Sequence, residues 1–232
     1  MTMQNLYLKP HGTGGRLITF CGLDGCGKTT MIGRLVAAME KEQQVFLTKQ
    51  PTDFVRRSDI FRTYMDSPTH DAYDYRSLSL LAASDRVQHT NKAILPALKE
   101  GKTVISDRYF YSCLANLRAR GYREDRWIYE IAESLIKPDI AFFLDAPVDV
   151  AVARVRSRAA EKDRYIDMEL QYRLREEYVA ICEACGGVLL STEESPDETF
   201  EKILARVKAL FSDTKARTSF GNSLAKDGAA NE

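Results

Sequence analysis

The stretch Gly22-Leu23-Asp24-Gly25-Cys26-Gly27-Lys28-Thr29 constrains this chain more than any other. It fits the spacing Gly-x-x-x-x-Gly-Lys-Thr in full. It follows an apolar run, Leu17-Ile18-Thr19-Phe20-Cys21, that reads as a buried strand. It precedes Met31, Ile32, Leu35, Val36 and Met39, which recur at helical spacing from a start near Lys28. A strand, a glycine-rich turn and a helix N-terminus in that order make a cradle for phosphate. The glycines let backbone N–H groups turn inward, and the helix adds the positive end of its dipole. Gly22, Gly25, Cys26, Gly27, Lys28, Thr29 and Thr30 are therefore expected around a nucleoside triphosphate. ATP is the expected donor. Lys28 would reach its β- and γ-phosphates, and Thr29 would hold Mg²⁺.

The rest of the chain supplies the sheet that such a loop needs. Val45-Phe46-Leu47-Thr48, Thr103-Val104-Ile105-Ser106, Ile140-Ala141-Phe142-Phe143-Leu144 and Val188-Leu189-Leu190 are four more short apolar runs. Helical stretches separate them. One short helix with loops is expected within 52–70, and a long helix over about 71–100, kinked or broken near Pro96 and capped by Gly101. Further helices are expected at about 110–136, 148–159, 167–184 and 197–211. Alternation of strands and helices predicts an α/β fold with a five-stranded parallel sheet covered on both faces. Residues 1–15 read as a flexible leader, 16–212 as one domain, and 213–232 as a disordered tail.

Composition narrows the function classes. Lys and Arg total 33, equal to Asp and Glu, so no global basic field argues for wrapping nucleic acid. No apolar run approaches the roughly 20 residues of a membrane helix, and residues 1–15 lack a signal-peptide core. A cytoplasmic protein with reduced cysteines is expected. Cys182 and Cys185 form a C-x-x-C on an expected helix, far in sequence from His11, His70 and His89, and are read as small buried hydrophobes.

A phosphate loop does not name a reaction. A guanine-specificity motif of the N-K-x-D type is missing late in the chain, and no strand ends in D-x-x-G, which speaks against a GTPase. Four segments then carry a resemblance. They are Phe20 to Thr30; Leu80-Leu81-Ala82-Ala83-Ser84-Asp85-Arg86-Val87-Gln88-His89, with Ile94 to Leu98 and Gly101 behind it; Val104-Ile105-Ser106-Asp107-Arg108-Tyr109; and Lys137-Pro138-Asp139 leading into Phe143-Leu144-Asp145. Over about residues 16–211 the chain resembles the thymidylate kinase family of P-loop nucleoside monophosphate kinases.

The residues also have readings of their own. Asp107 ends a buried strand, where an α/β sheet places its ligands, and could orient Mg²⁺ or its water; a cap on the next helix is the lesser alternative. Arg108 could clamp an acceptor phosphate bidentately. Asp24 among phosphates is electrostatically costly and needs a reason. The resemblance implies one, an approach to the acceptor's 3′-hydroxyl. It further implies that Arg86 reads the acceptor base, although a surface salt bridge is the plainer reading. An acceptor pocket built from Asp24, Lys49, Ala82, Arg86, Arg108, Tyr109, Cys113 and Asn116 follows from it, as does a homodimer.

Arg154, Arg156, Arg158, Lys162 and Arg164 crowd a segment with only Glu161 and Asp163 against them. They read either as a solvated face or as a lid over about 154–166. Some members of the family carry a catalytic Arg inside the phosphate loop, at the position of Gly25. Here the lid must supply it, with Arg158 and Arg164 expected in that role and Arg154 toward ATP. Catalysis is thus expected from Lys28, Asp24, Arg108, Arg158 and Arg164.

Four positions depart from the family. Lys49 stands in a T-R-E-P segment read here as Thr48-Lys49-Gln50-Pro51, losing the planar fork of Arg. Ala82 replaces the ring that stacks on thymine. Asn116 stands where Tyr is common, and Leu117 where many bacterial members have Gln. Phe54, Tyr73, Tyr75 or Tyr111 could rebuild the pocket. The expected reaction is γ-phosphoryl transfer from ATP to dTMP. A same-fold kinase for another or a modified nucleotide, a kinase for a non-nucleotide acceptor, and a non-catalytic ATP-binding module are the alternatives.

Overall fold

A computed structural model describes residues 6–66 and 72–227. Five strands, β1 (Arg16–Cys21), β2 (Val45–Lys49), β3 (Thr103–Asp107), β4 (Ile140–Asp145) and β5 (Val188–Ser191), form one sheet in the order β2-β3-β1-β4-β5. All neighbours pair parallel. The continuous apolar runs of β1, β3 and β4 are buried on both faces, as such runs require. The edge strands β2 and β5 alternate instead, leaving Leu47 and Leu189 exposed. Phe20 of β1 stacks on Phe142 of β4 at 5.1 Å between ring centroids, at the centre of the core.

The helices are α1 (Lys28–Met39), α2 (Asp53–Arg56), α3 (Asp59–Asp66), α4 (Tyr75–His89), α5 (Leu95–Lys99), α6 (Phe110–Ala119), α7 (Trp127–Ala132), α8 (Val148–Arg156), α9 (Met168–Cys185) and α10 (Pro196–Asp227). Chain direction decides where ligands go. From β1 the sheet grows outward through β3 on one side and β4 on the other, so a crevice opens beyond the C-terminal end of β1. The phosphate loop leaves β1 there, and Phe20 of β1 lies in register with Asp107 of β3.

Several expectations need correction. Two short helices, not one, occupy 53–66, while the rest of the segment expected to hold loops, 67–70, lies outside the described residues. The expected break near Pro96 is a π turn over Thr90–Ile94. Proline has no N–H and its ring crowds the carbonyl four residues back. Widening the helix by one residue accommodates both without ending it. Gly101, at φ 79, closes that segment as expected.

Part of the leader docks on the domain. Leu8 is buried, the Lys9 N–H donates to the Leu135 carbonyl, and His11 Nε2 lies 2.9 Å from Asp139 Oδ2. Those partners are remote in sequence, so no local pattern announced them. The last helix continues past the expected end, as backbone helix to Asp227, where a disordered tail was expected. No proline or glycine interrupts 197–220 to stop it. Cys182 and Cys185 sit in the last turn of α9 as free thiols, and no cluster of three or more candidate metal ligands occurs among the described residues. Burial pushes the Cys182 thiol up to about 12, as suits a packing residue. Among the described residues no helix is long and apolar enough to cross a membrane.

Candidate active site

The loop is shaped by two close approaches. A Cβ on Gly22 would meet the Leu144 carbonyl oxygen at 2.3 Å, and one on Gly25 would meet that of Ala151 at 2.0 Å. Both glycines also have positive φ, 136° and 84°. β4 and α8 therefore press directly on the loop backbone. An Arg at Gly25 has no room, which gives the absence of a loop cation a steric cause. Helix α1 then starts at Lys28 with no side-chain cap and no acidic residue in its first turn. Its N–H groups stay open to an anion.

Lys28 is buried in this ring. Its ammonium donates to the carbonyls of Gly22 at 3.1 Å and Leu23 at 2.6 Å. Neutral carbonyls are weak partners for a buried cation, so a phosphate would be a better one. Thr29 and Thr30 are exposed, and Thr29 and Gly27 line the cavity in front of the loop. Cys26 and Gly22 lie beneath it, Cys26 fully buried.

Arg108 is the hinge of the site. It is the one non-glycine residue with positive φ among the described residues, at 68°. Such a conformation costs about 1–2 kcal/mol and persists only where the surroundings impose it. Its N–H holds the Phe20 carbonyl at 2.8 Å, and the turn carries its guanidinium over the end of β1. There it donates to the Gly22 carbonyl at 3.2 Å, the Tyr178 hydroxyl at 3.0 Å and Asp24 Oδ1 at 2.5 Å. Asp24 Oδ2 also lies 3.4 Å from Arg164. Arg108 above all, helped by Lys28 and Arg164 against desolvation, holds the Asp24 carboxyl far below the usual carboxylate range.

Asp107 is not a helix cap. Tyr109 holds the cap position of α6 and makes no side-chain cap bond. Asp107 Oδ2 instead pairs with Lys49 at 3.1 Å, and its Oδ1 is buried without a partner. Tyr109 is a correction. Its backbone is extended beside Arg108, so its ring points the opposite way, fully buried, with its hydroxyl on the Ile136 carbonyl at 2.7 Å. It takes no part in the pocket.

The lid segment divides. Arg158 and Arg164 line the cavity; among the described residues both pair with Glu161, at 3.7 and 2.8 Å, and Arg164 also with Asp24. Arg154 is not among the cavity-lining residues. It braces the loop from outside, donating to the Gly25 carbonyl at 3.5 Å and the Thr192 carbonyl at 3.1 Å.

Opposite the loop, one face of α4 (Tyr75, Leu78, Ser79, Ala82 and Arg86) and one face of α6 (Ser112, Cys113 and Asn116) line the same cavity, of about 450 Å³. Arg86 is 3% exposed, its Nη1 donates to the Ala82 carbonyl, and its Nε is buried without a partner. Among the described residues it forms no ion pair, and its burial is not that of a surface salt bridge. Of the rings considered for rebuilding the pocket, only Tyr75 reaches it. Phe54 is 73% exposed, Tyr73 is also exposed, and Tyr111 is in the core. Phe61 and Tyr64 of α3 serve instead.

Sequence reasoning missed Arg56, Arg120 and Tyr178, which also line the cavity. Arg56 is anchored on the Pro51 carbonyl at 2.7 Å. Only for Arg120 was there a local signal, its i+4 spacing from Asn116 at the end of α6. Altogether Lys28, Lys49, Arg56, Arg86, Arg108, Arg120, Arg158 and Arg164 face the cavity, against the carboxylates of Asp24, Asp107, Glu161 and Asp167. A chain with balanced charge thus concentrates cations at one place, which suits a cavity for more than one phosphorylated ligand.

Comparison with known proteins identifies the family. The family model for thymidylate kinase matches residues 20–203. The chain is 36% identical over 196 residues to a probable thymidylate kinase of Thermococcus kodakarensis, covering 82% of this chain and 95% of that protein. It is 36% identical over 198 residues to a probable thymidylate kinase of Pyrococcus horikoshii, covering 84% and 96%. A thymidylate kinase of a Geobacillus species is 33% identical over 202 residues, covering 83% and 96%.

Proposed function

Because the chain belongs to the thymidylate kinase family, we infer that it is an ATP-dependent kinase that phosphorylates dTMP, giving dTDP and ADP. One observation carries the reading beyond the family. The triphosphate loop and the cation-rich face of α4 and α6 open into a single cavity, and Arg108 contacts the loop while lining it. A donor phosphate and an acceptor phosphate can therefore meet within one cleft.

An oxygen of the acceptor's 5′-phosphate attacks the γ-phosphorus, the bond to the β–γ bridging oxygen breaks, and ADP leaves. No covalent bond to the enzyme forms. Positioning and charge neutralisation do the work. Lys28 exchanges its two carbonyl partners for phosphate oxygens of ATP. Arg108, with Lys49 beside it, holds the acceptor phosphate. Arg158 and Arg164 neutralise the transferred group's oxygens and help exclude water. Asp24 stays ionised and faces the acceptor sugar; Arg86, Cys113 and Asn116 line the nucleoside's place, which Ala82 leaves roomy. The unpartnered Asp107 Oδ1 and the exposed Thr29 hydroxyl suit Mg²⁺, and these residues would hold it. That ion supplies positive charge to the phosphates when bound. A homodimer belongs to the same reading, and sedimentation at micromolar concentration checks it.

The test is ADP release with ATP and a panel of dTMP, dUMP, dCMP and UMP. Turnover with dTMP is expected. Lack of turnover with every nucleoside monophosphate would overturn the assignment.

A further inference from the structure

Arg120 has no role in the reading above, yet its guanidinium lies in the acceptor half of the cavity. It follows α6 directly, and three groups hold it in place. Its Cζ lies 3.8 Å from the centroid of the Tyr75 ring. Its Nε donates to the Tyr64 hydroxyl at 3.2 Å. Its Nη1 donates to the Asn116 carbonyl at 3.1 Å and to Asn116 Oδ1 at 2.9 Å. Nη2 makes no hydrogen bond, and no carboxylate pairs with the group, among the described residues. A planar cation clamped on three sides, with one free donor edge in a pocket, is arranged to meet an acceptor atom.

The same contacts explain the departure at Asn116. Its Nδ2 donates to the Ser112 carbonyl at 2.9 Å, which directs its Oδ1 to Arg120. A tyrosine ring there would offer no carboxamide oxygen to hold the guanidinium. With Ala82 and Asn116 in place of rings, the pocket carries an Arg120–Tyr75 stack instead. Arg86 likewise has no ion-pair partner among the described residues.

Resting on the proposed dTMP kinase activity, we propose that Arg120 is a specificity-determining residue that reads the acceptor base. Arg86 and Arg120 present donors only. A thymine or uracil ring carries two carbonyl oxygens, one for each. Cytosine has one carbonyl and an amino group, whose N–H donors would face a guanidinium with no acceptor to offer. The site accordingly selects dioxo-pyrimidine nucleotides over amino-pyrimidine ones.

The test measures kcat/KM for dTMP and dCMP in wild type, Arg120→Gln and Arg120→Lys, with the KM for ATP as control. A glutamine carboxamide can accept from the cytosine amine as well as donate. Arg120→Gln should therefore narrow the dTMP-to-dCMP ratio by about 10- to 100-fold with the ATP KM unchanged. Arg120→Lys remains donor-only and should keep the preference at lower kcat/KM, which preserves the test should the Gln variant unfold. Equal loss for both nucleotides in the Gln variant, or a lysine variant that accepts dCMP, would refute it. Wild-type turnover of dTMP with any of these results overturns the Arg120 assignment alone. Absence of wild-type turnover overturns the kinase reading itself.

Discussion

Replacing Gly25 by Ala isolates the contact that keeps a side chain out of the phosphate loop. Gly25 and Gly27 have nearly the same φ, 84° and 93°. An L-residue in that region costs about 1–2 kcal/mol at either position. The surroundings differ sharply. A Cβ at Gly25 falls 2.0 Å from the Ala151 carbonyl oxygen, while at Gly27 the nearest atom is the Thr192 methyl at 4.0 Å. A clash with helix backbone cannot be relieved by a rotamer change, so α8 or the loop must move, at about 1–3 kcal/mol more. At about 2–4 °C per kcal/mol for a domain of this size, Gly25→Ala should melt about 2–12 °C below Gly27→Ala. Thermal unfolding followed by circular dichroism, without ligand, reads this difference. Equal melting temperatures for the two variants would show that α8 does not press on the loop as described. Gly25→Arg should be at least as destabilised and should not rescue an Arg164→Ala enzyme, because the loop has no room to present a cation.

Three further outcomes are expected. Arg158→Ala and Arg164→Ala should lower kcat, by about 100-fold for the residue that meets the transferred phosphoryl, with ATP affinity nearly unchanged; undiminished single-turnover rates in both would remove the lid from the mechanism. Arg86→Met should raise the KM for dTMP while leaving the unliganded protein as stable or up to about 1 kcal/mol more so, since a buried guanidinium without an ion-pair partner is relieved; a drop in melting temperature would contradict that view of Arg86. Burial lowers the pKa of His89, whose ring meets Thr48 Oγ1 at 2.9 Å and the Gln50 amide at 3.1 Å. Its folded pKa lies below the unfolded value near 6.5, so its stabilising effect is present above that pH and is lost as pH falls toward the folded pKa; a melting-temperature profile that His89→Gln does not flatten between pH 7 and 5 would argue against it.

Much of this protein is legible along the chain because the relevant physics is local. The phosphate loop needs its glycines, its lysine and its flanking strand and helix within about two dozen residues, and all are contiguous. Runs of apolar residues without alternation mark β1, β3 and β4 as doubly covered, and parallel pairing follows from the helices between them. Arg86 and Arg108 were found because their neighbours in sequence carry a pattern.

Other features depend on which remote elements the fold brings together. Tyr109 adjoins Arg108, yet an extended backbone turns its ring into the core, where the Ile136 carbonyl and the Tyr111 ring receive it. Tyr178 holds Arg108 from a helix 70 residues away. Asn116 looked like a loss when compared with a ring, and becomes a handle once Tyr64, Tyr75 and Arg120 are seen around it. The loop itself was readable at once, but the reason no cation sits at Gly25 is the carbonyl of Ala151, placed there by the packing of α8. Local sequence specifies the elements and the chemistry they can offer. The orientation of each group, and the company it keeps, is set by contacts between segments far apart in the chain.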